Sequence, residues 1–441
     1  MKTEQDTQKK SLDVIIVGGG LAGLSAACYL ARAGVNTRVF EKSAEVGGRA
    51  ASQVHDGYTF NRGIHALYSG GAASEVLREL NIPYSSHQPK DIFVLRKGKF
   101  YIAPFAASTM LRTGSLSLAD KLELLGLFAK LPALKSEELR KISVQAWIEH
   151  SLRRPRVREL MKSTAYTFVY SSALDRVSAD VFVKKTQISL KNPVLYLDGG
   201  WQTLVNGLRK AAEQAGALIT NGAHVEAVLH ENGRAKGVRL NNGETLDASA
   251  VIIATSPHEA TKLVDGGDYA PLREIVESLI PARVACLDVA LSRLPDPRHP
   301  VVQDLEHPRF LSTQSVYARL TPQGGALVST FKQLDPLNPG DPRENERDLE
   351  NLLDTVQPDW RDVLVKRIYL PHIEAVGALP TVESNGYAGR PGPYVPGIEH
   401  LYLIGDWIGE GFLADPSFAS ARQVARQLIQ ARVVTAVSSD A

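Results

Sequence analysis

The stretch LDVIIVGGGLAGLSAACYLARAGVNTRVFE, residues 12–41, decides how the rest of the chain is read. Its opening run, 14–17, is apolar and β-branched, the pattern of a strand buried on both faces. Glycines follow at the spacing G-x-G-x-x-G, at Gly18, Gly20 and Gly23. A helical pattern then occupies 21–33 and stops at Gly34, a residue that takes the left-handed turn ending a helix without strain. A second strand over 37–40 delivers Glu41 at its carboxyl end.

Each of these residue types has a physical reason to be there. Gly18 permits a tight strand-to-helix turn, Gly20 leaves room for a pyrophosphate to touch backbone, and Gly23 lets the helix lie close to the strand. The phosphates rest on the helix amino terminus, where unpaired N–H groups and the helix dipole favour negative charge. Glu41, 18 residues beyond Gly23, accepts hydrogen bonds from a ribose diol and repels a 2′-phosphate, which disfavours NADP. A plain glycine turn leaves the coincidence of strand, helix and acid unexplained. The glycines and the mixed-charge leader argue against a signal peptide or membrane span.

The 441 residues are too many for one small core and imply two domains or one large interrupted domain. Apolar content of 44% and charged content of 22% belong to an ordinary globular protein, and a net charge of +2 gives no field for nucleic acid. Cys28 and Cys286 supply neither a disulfide framework nor metal-ligand spacing, so no metal is expected and the compartment reads as reducing and cytoplasmic. Residues 1–11 are polar, of mixed charge, and read as a loose tail.

Immediately after Glu41 comes KSAEVGGRA, with Gly47, Gly48 and Arg49. An NAD-binding unit does not need this segment, which reads as a loop that brings backbone and a guanidinium to the far side of a pyrophosphate. Here the chain resembles the flavoprotein group containing flavin amine oxidases, protoporphyrinogen oxidases and phytoene desaturases. The resemblance implies noncovalently bound FAD, because no cysteine lies near the carboxyl end to form a thioether link. It also implies an α/β fold, a Rossmann-like FAD domain made of 12–75, 191–260 and 396–435. A helical and mixed α+β substrate domain, made of 76–190 and 261–395, interrupts it.

The same resemblance places Lys42, Gly48 and Arg49 on the dinucleotide. In YTFNRGIHALYSGG, residues 58–71, it puts Ile64 and His65 beside the isoalloxazine, although Asn61 stands where relatives carry an acid. His65 is the candidate catalytic residue, since its ordinary pKa suits proton transfer, and packing on the cofactor is the competing role. In YLDGGWQTLVNGL, residues 196–208, the chain returns to the cofactor. In the following segment Asn-Gly pairs at 232–233 and 242–243 mark hairpins leading to a buried strand at 250–254, and the resemblance sets the Val225 backbone against the adenine. HLYLIGDWIGEGFLADPSFASARQVARQL, residues 400–428, then supplies Gly405 and Asp406 for the ribityl chain and Leu413 in the loop before the last helix. Asp415 fits its N-cap, with Pro416 at the first helical position. Gly-Asp-Trp followed by Leu-Ala-Asp looks closest to the phytoene-desaturase-related branch.

Residues 72–190 read as helical, with an apolar stripe in 117–134 at Leu118, Leu122, Leu125, Leu127, Phe128 and Leu131. That stripe suits core packing, and a peripheral contact with a membrane is the other use for it. Strands are expected at 282–291, 312–319 and 326–330 and a helix near 343–355. Lys332 has no local pattern that marks it as a flavin-side lysine.

Taken together, the expected activity is that of an FAD-dependent oxidoreductase. A hydride passes from a substrate carbon to flavin N5, and a hydrophobic, isoprenoid or carotenoid-like substrate is desaturated, with oxygen or a quinone as the acceptor. The alternatives are an amine oxidase, a flavin isomerase without net redox change, and a flavin-free prenyl-protein binder of the same fold. Trp407 and Tyr68 join His65 as expected ring-facing side chains.

Overall fold

Strand Leu12–Val17 lies at the centre of a seven-stranded sheet, parallel to Thr37–Glu41 on one side and to Thr245–Ile253 on the other. The computed structural model describes residues 12–439, so the expected tail lies outside the described residues. Leu218–Asn221 extends the sheet beyond Thr37–Glu41, and Leu401–Leu403 pairs in parallel with Thr245–Ile253. The apolar run of the first strand has no polar face because both of its faces are covered: Val14 and Ile16 pack under the helices Leu21–Arg32, Gln202–Gln214 and Asp415–Ser439, and Ile15 and Val17 pack toward the meander strands. That meander is Val225–Glu231, Arg234–Leu240 and Thr245–Ile253 in antiparallel order. Asn232 and Gly233 turn between its first two strands with φ of 51° and 70°, as a type I′ hairpin requires.

A second seven-stranded sheet runs in the order Leu364–Val376, Ala282–Leu291, Ala326–Gln333, Arg309–Ser312, Val301–Asp304, Ile92–Arg96, Lys99–Ile102. Ala282–Leu291 alternates strictly. Ala282, Val284 and Cys286 face one cluster with the helices Val144–Ser151, Pro155–Val169 and Ala179–Lys191. Ala285, Leu287, Val289 and Leu291 face another, built on helix Pro342–Val356.

Several expectations need correction. Residues 72–190 are not all helix, because 92–102 form a hairpin turning at Lys97 and Gly98, both at positive φ, and join the second sheet through Val301–Asp304. The strand expected at 312–319 ends at Ser312, after which a short 3₁₀ turn spans Gln314–Val316 and Ser315 Oγ accepts the Leu327 N–H. The longest strand, Leu364–Val376, was not expected; Pro371 interrupts its pattern and sits where the register with Ala282–Leu291 shifts. The stripe of 117–134 divides between two faces. In helix Leu118–Lys130, capped reciprocally by Ser117 and Asp120, Leu124 and Leu127 turn inward while Leu118, Leu122 and Leu125 turn out.

Asp288 lies on the Cys286 face of its strand, buried, facing the Ser329 hydroxyl and the Gly63 N–H. Burial pushes its carboxyl up to about 7 from 3.8 despite those two donors. Between these values the folded protein holds a proton that the unfolded chain has released. Stability therefore falls as pH rises through the window and levels off above it. Urea unfolding at pH 5 and pH 7.5 should show a smaller loss for Asp288→Asn than for the wild type; equal losses would contradict the assignment.

Candidate cofactor and substrate site

The glycine loop has the geometry its spacing anticipates. Gly18 has φ of +111°, and a Cβ there would stand 2.7 Å from the Ala254 carbonyl oxygen. A Cβ on Gly23 would stand 2.0 Å from the Gly18 carbonyl oxygen, so the helix approaches the strand as closely as backbone permits. A methyl group on Gly20 would meet nothing within 4 Å, and the open space is the cavity itself. The Leu21–Arg32 helix begins at Gly20 with no side-chain cap and no acid in its first turn. Its first N–H groups are thus left for an anion.

Glu41 reaches back across this loop. Its Oε2 accepts the Gly19 N–H at 2.8 Å and its Oε1 accepts the Ser43 N–H at 2.9 Å. Each oxygen keeps a further lone pair for a ribose hydroxyl. The Gly47 N–H donates to the Gly19 carbonyl at 2.9 Å, which lays the second glycine pair against the first. Gly48 takes φ of +54° there. Lys42 lines the same cavity and pairs with Glu259 at 2.7 Å. Val225 forms the far wall. This cavity has a volume of about 680 Å³.

It opens past Arg49, Ala50, Glu374 and Asp406 into a second space of about 600 Å³ that holds Ile64, His65, Trp201, Cys286 and Leu413 in its walls. Arg49 stands at the junction and forks onto both oxygens of Asp406, one contact being 2.9 Å, while also donating to the Glu374 carbonyl at 3.2 Å. Its exposed half faces the cavity. Asp406 is buried, which alone would raise its pKa, yet the Arg49 guanidinium and the Gly377 N–H at 2.7 Å hold it below the usual carboxylate range. Arg390 donates to the carbonyls of Asp406 and Gly411 and so fixes the Gly405–Asp406 turn. Gly405 itself has φ of +148° and donates to Ser420 Oγ at 3.0 Å.

Asn61, where the resembled group carries an acid, accepts the Trp201 N–H at 3.1 Å and the Ser52 hydroxyl at 2.7 Å, tying two cofactor-side motifs together. His65 packs edge-on to Trp201, with ring centroids 5.1 Å apart. Its Nδ1 lies 3.0 Å from the Gly63 carbonyl, and the Arg49 backbone engages the ring as well. Burial lowers its pKa, so the imidazole is held neutral. The Trp201 indole N–H is buried without a partner in the wall of this space.

Not every expected ring-facing residue reaches the ring-side space. Trp407 is wholly buried in the core behind the first sheet and donates to the Thr255 carbonyl at 3.0 Å. Tyr68 lines a third space instead, beneath the Lys185 ammonium, which lies 3.5 Å from its ring centroid. Asp415 spends its carboxylate on another helix, accepting the Ala73 N–H at 2.9 Å in the first turn of Ala72–Glu79. Lys332 pairs with Asp348 and lies outside both cavities described above. Sequence reasoning missed Tyr170, Phe331, Cys286, Glu374 and Arg390. Tyr170 closes the Pro155–Val169 helix in the left-handed conformation, φ 53°, with no glycine or asparagine there to mark it in the sequence.

The residues present fit FAD. An uncapped helix end, an open glycine, a carboxylate with spare lone pairs, a cavity-facing guanidinium and an unpaired indole N–H line one continuous space. When bound, the flavin supplies a two-electron acceptor.

These features define a dinucleotide-dependent flavoprotein. The pattern of the flavin containing amine oxidoreductase family matches residues 21–281, and the chain belongs to that family. It is an FAD-dependent oxidoreductase. The carotenoid 3,4-desaturase of Haloarcula japonica is 22% identical, over 95% of this chain and 98% of that protein. The zeta-carotene-forming phytoene desaturase of Myxococcus xanthus is 24% identical over 57% of this chain and 55% of its own length. An oxidoreductase structure from Methanosarcina mazei shares the fold, with a TM-score of 0.77 at 20% identity over 94% of this chain and all of that one.

The two glycines separate folding from binding. Gly23→Ala should cost about 1–3 kcal/mol of stability through backbone crowding, read by thermal unfolding. Gly20→Val should unfold at nearly the wild-type temperature in the flavin-free form, yet purify with little flavin. A Gly20→Val protein with full flavin content would contradict the cradle.

Proposed function

We propose that the protein dehydrogenates a hydrophobic, isoprenoid or carotenoid-like substrate. The observation that carries this reading is a third space of about 380 Å³, which adjoins the ring-side space at Ile64, Ala66, Tyr170 and Phe331. Phe105, Phe128, Met161, Phe168 and Phe310 contribute its apolar walls. An elongated apolar chain lying in this space brings one segment to the ring-side wall and leaves its remainder among aromatic and aliphatic side chains, out of water. The names of the two carotenoid-modifying relatives support the same substrate class.

The ring-side walls also suit such a substrate electrically. Burial holds Tyr170 and Cys286 protonated and His65 neutral, so these groups present no charge to it. An amine would need an anion or an aromatic slot. Asp406 is already forked onto Arg49, and burial pushes the Glu374 carboxyl up beside that guanidinium. Tyr170 and Phe331 stack on each other at 5.5 Å and 9°, leaving no slot between them. In such a dehydrogenation the hydride would pass to the bound flavin and the proton from the neighbouring carbon to solvent water, so the chain's own residues are asked mainly to align the substrate.

Anaerobic titration tests the substrate class. A detergent-dispersed polyene precursor should bleach the bound flavin while primary amines and polyamines leave it oxidised. Bleaching by an amine alone would contradict the reading, as would conversion of the polyene to an isomer at unchanged oxidation level. His65, with its ring nitrogens turned to backbone carbonyls, is proposed to hold the 63–65 turn and not to transfer a proton. His65→Gln should then shift the pH profile of turnover by no resolvable amount, and loss of an ionisation from that profile would restore the acid–base role.

A further inference from the structure

One row of side chains connects the ring-side space to a polar position in the third space. Cys286, Phe331, Phe310 and Gln303 stand opposite one another on four adjacent strands of the second sheet. Residues paired across strands present their side chains to the same face. Cys286 and Phe331 line the ring-side space, and Phe331, Phe310 and Gln303 line the third. With neighbouring strands about 4.8 Å apart, Gln303 lies three strand spacings, about 14 Å, from Cys286.

An amide among these aromatic side chains is out of character, and its orientation is set. Gln303 is 4% exposed. Facing it from helix Pro155–Val169, the Thr164 hydroxyl has a single proton and gives it to the Leu160 carbonyl at 2.8 Å, so toward Gln303 it can only accept. Gln303 therefore turns Nε2 to Thr164, at 3.2 Å. The preceding residue, Ser163, donates to the Asp304 carbonyl at 2.6 Å and holds helix and strand in this relation. The bond to Thr164 is the only one the amide makes among the described residues. Its carbonyl oxygen and second N–H are left for a ligand, because a buried polar group without a partner is costly.

A second position on the same space also calls for a polar atom. Thr164, Thr167 and Thr186, which line it, donate their hydroxyls back to the carbonyls of Leu160, Ser163 and Phe182 on their own helices. Ser189 does not, and its Oγ is buried in the wall with no hydrogen-bond partner. The charged side chain in these walls is Lys90, exposed at the rim. The interior thus offers no counter-charge for a carboxylate or phosphate, while an amide edge that both gives and accepts a hydrogen bond matches a hydroxyl.

We propose that the third space receives an apolar chain bearing a hydroxyl group, and that Gln303, oriented by Thr164, binds that hydroxyl three strands from the Cys286 wall. The substrate class is then an isoprenoid alcohol in preference to a hydrocarbon of the same chain. This deepens the reading proposed above and rests on it for the reaction; the hydroxyl site itself does not.

Anaerobic binding to the flavin-loaded protein, read from the perturbation of the flavin spectrum, tests the site with two probes, geranylgeraniol and the matching hydrocarbon that lacks its hydroxyl. Wild type should bind the alcohol about tenfold or more tightly than the hydrocarbon. Gln303→Leu should abolish that preference by weakening the alcohol alone, whereas a loss of packing would weaken both probes. Thr164→Val keeps the outline of the side chain and leaves Gln303 in place, and it should erode the preference as well. Equal binding of the two probes by wild type would overturn the proposal, and so would a preference that survives both substitutions. If the preference holds and no polyene bleaches the flavin, the dehydrogenation reading falls and the hydroxyl site stands. If a polyene hydrocarbon bleaches the flavin and the alcohol gains no preference, the hydroxyl site falls and the dehydrogenation reading stands.

Discussion

The fork between Arg49 and Asp406 is the interaction on which the site depends. It joins positions 357 residues apart, bringing the end of the first glycine segment to the Gly405–Asp406 turn near the close of the chain. The Glu374 carbonyl and the Gly377 N–H attach the edge strand of the second sheet to the same pair. Three segments therefore converge on one charged contact between the two cavities. Losing a partner of a fully buried ion pair costs about 3–5 kcal/mol. The cost here is smaller because the guanidinium is half exposed to the cavity and screened there. The position of the pair matters more than its strength. A guanidinium held at the junction by a carboxylate is pre-oriented toward whatever fills the space, and little side-chain entropy remains to be lost on binding.

Around that contact the two sheets divide the labour. The first, parallel at its centre, presents the uncapped helix end and Glu41 from the carboxyl ends of adjacent strands, which is where such sheets bind ligands. The second contributes Val284, Cys286, Phe331 and Glu374 to the ring-side wall, and the helices packed on it enclose the apolar third space. The cofactor site is polar and built largely from backbone, whereas the substrate side is built from side chains. A family can keep the first and vary the second, which is why the cofactor follows from the fold and the substrate does not.

How much was legible in the sequence follows the same division. The glycine loop, Glu41, the 47–49 loop, the Asn-Gly hairpin and the Gly405–Asp406 turn could be read because local backbone geometry demands particular residues at fixed spacing. The side-chain walls could not. Tyr170 and Phe331 meet across 161 positions of chain, and no local pattern announces a stacked pair assembled from a helix end and a strand. Trp407 was the tryptophan expected at the ring, yet it fills the core while Trp201 lines the cavity, a choice that only the sheet decides. The 92–102 hairpin was hidden by the helical character of its surroundings, although Lys97-Gly98 between alternating runs was a usable signal. The 117–134 stripe was legible as apolar, but which leucines turn inward depends on the partner helix.

This continuous space, joined through the Arg49–Asp406 pair, holds FAD without a covalent bond. The visible absorption spectrum of the purified protein, taken before and after denaturation and filtration, decides this. A flavin spectrum in the native protein, with the chromophore passing into the filtrate on unfolding and identified there as FAD, is the predicted result. A colourless protein that takes up no added FAD would overturn it, because the uncapped helix terminus and the glycine cradle would then be features of a protein that binds something else.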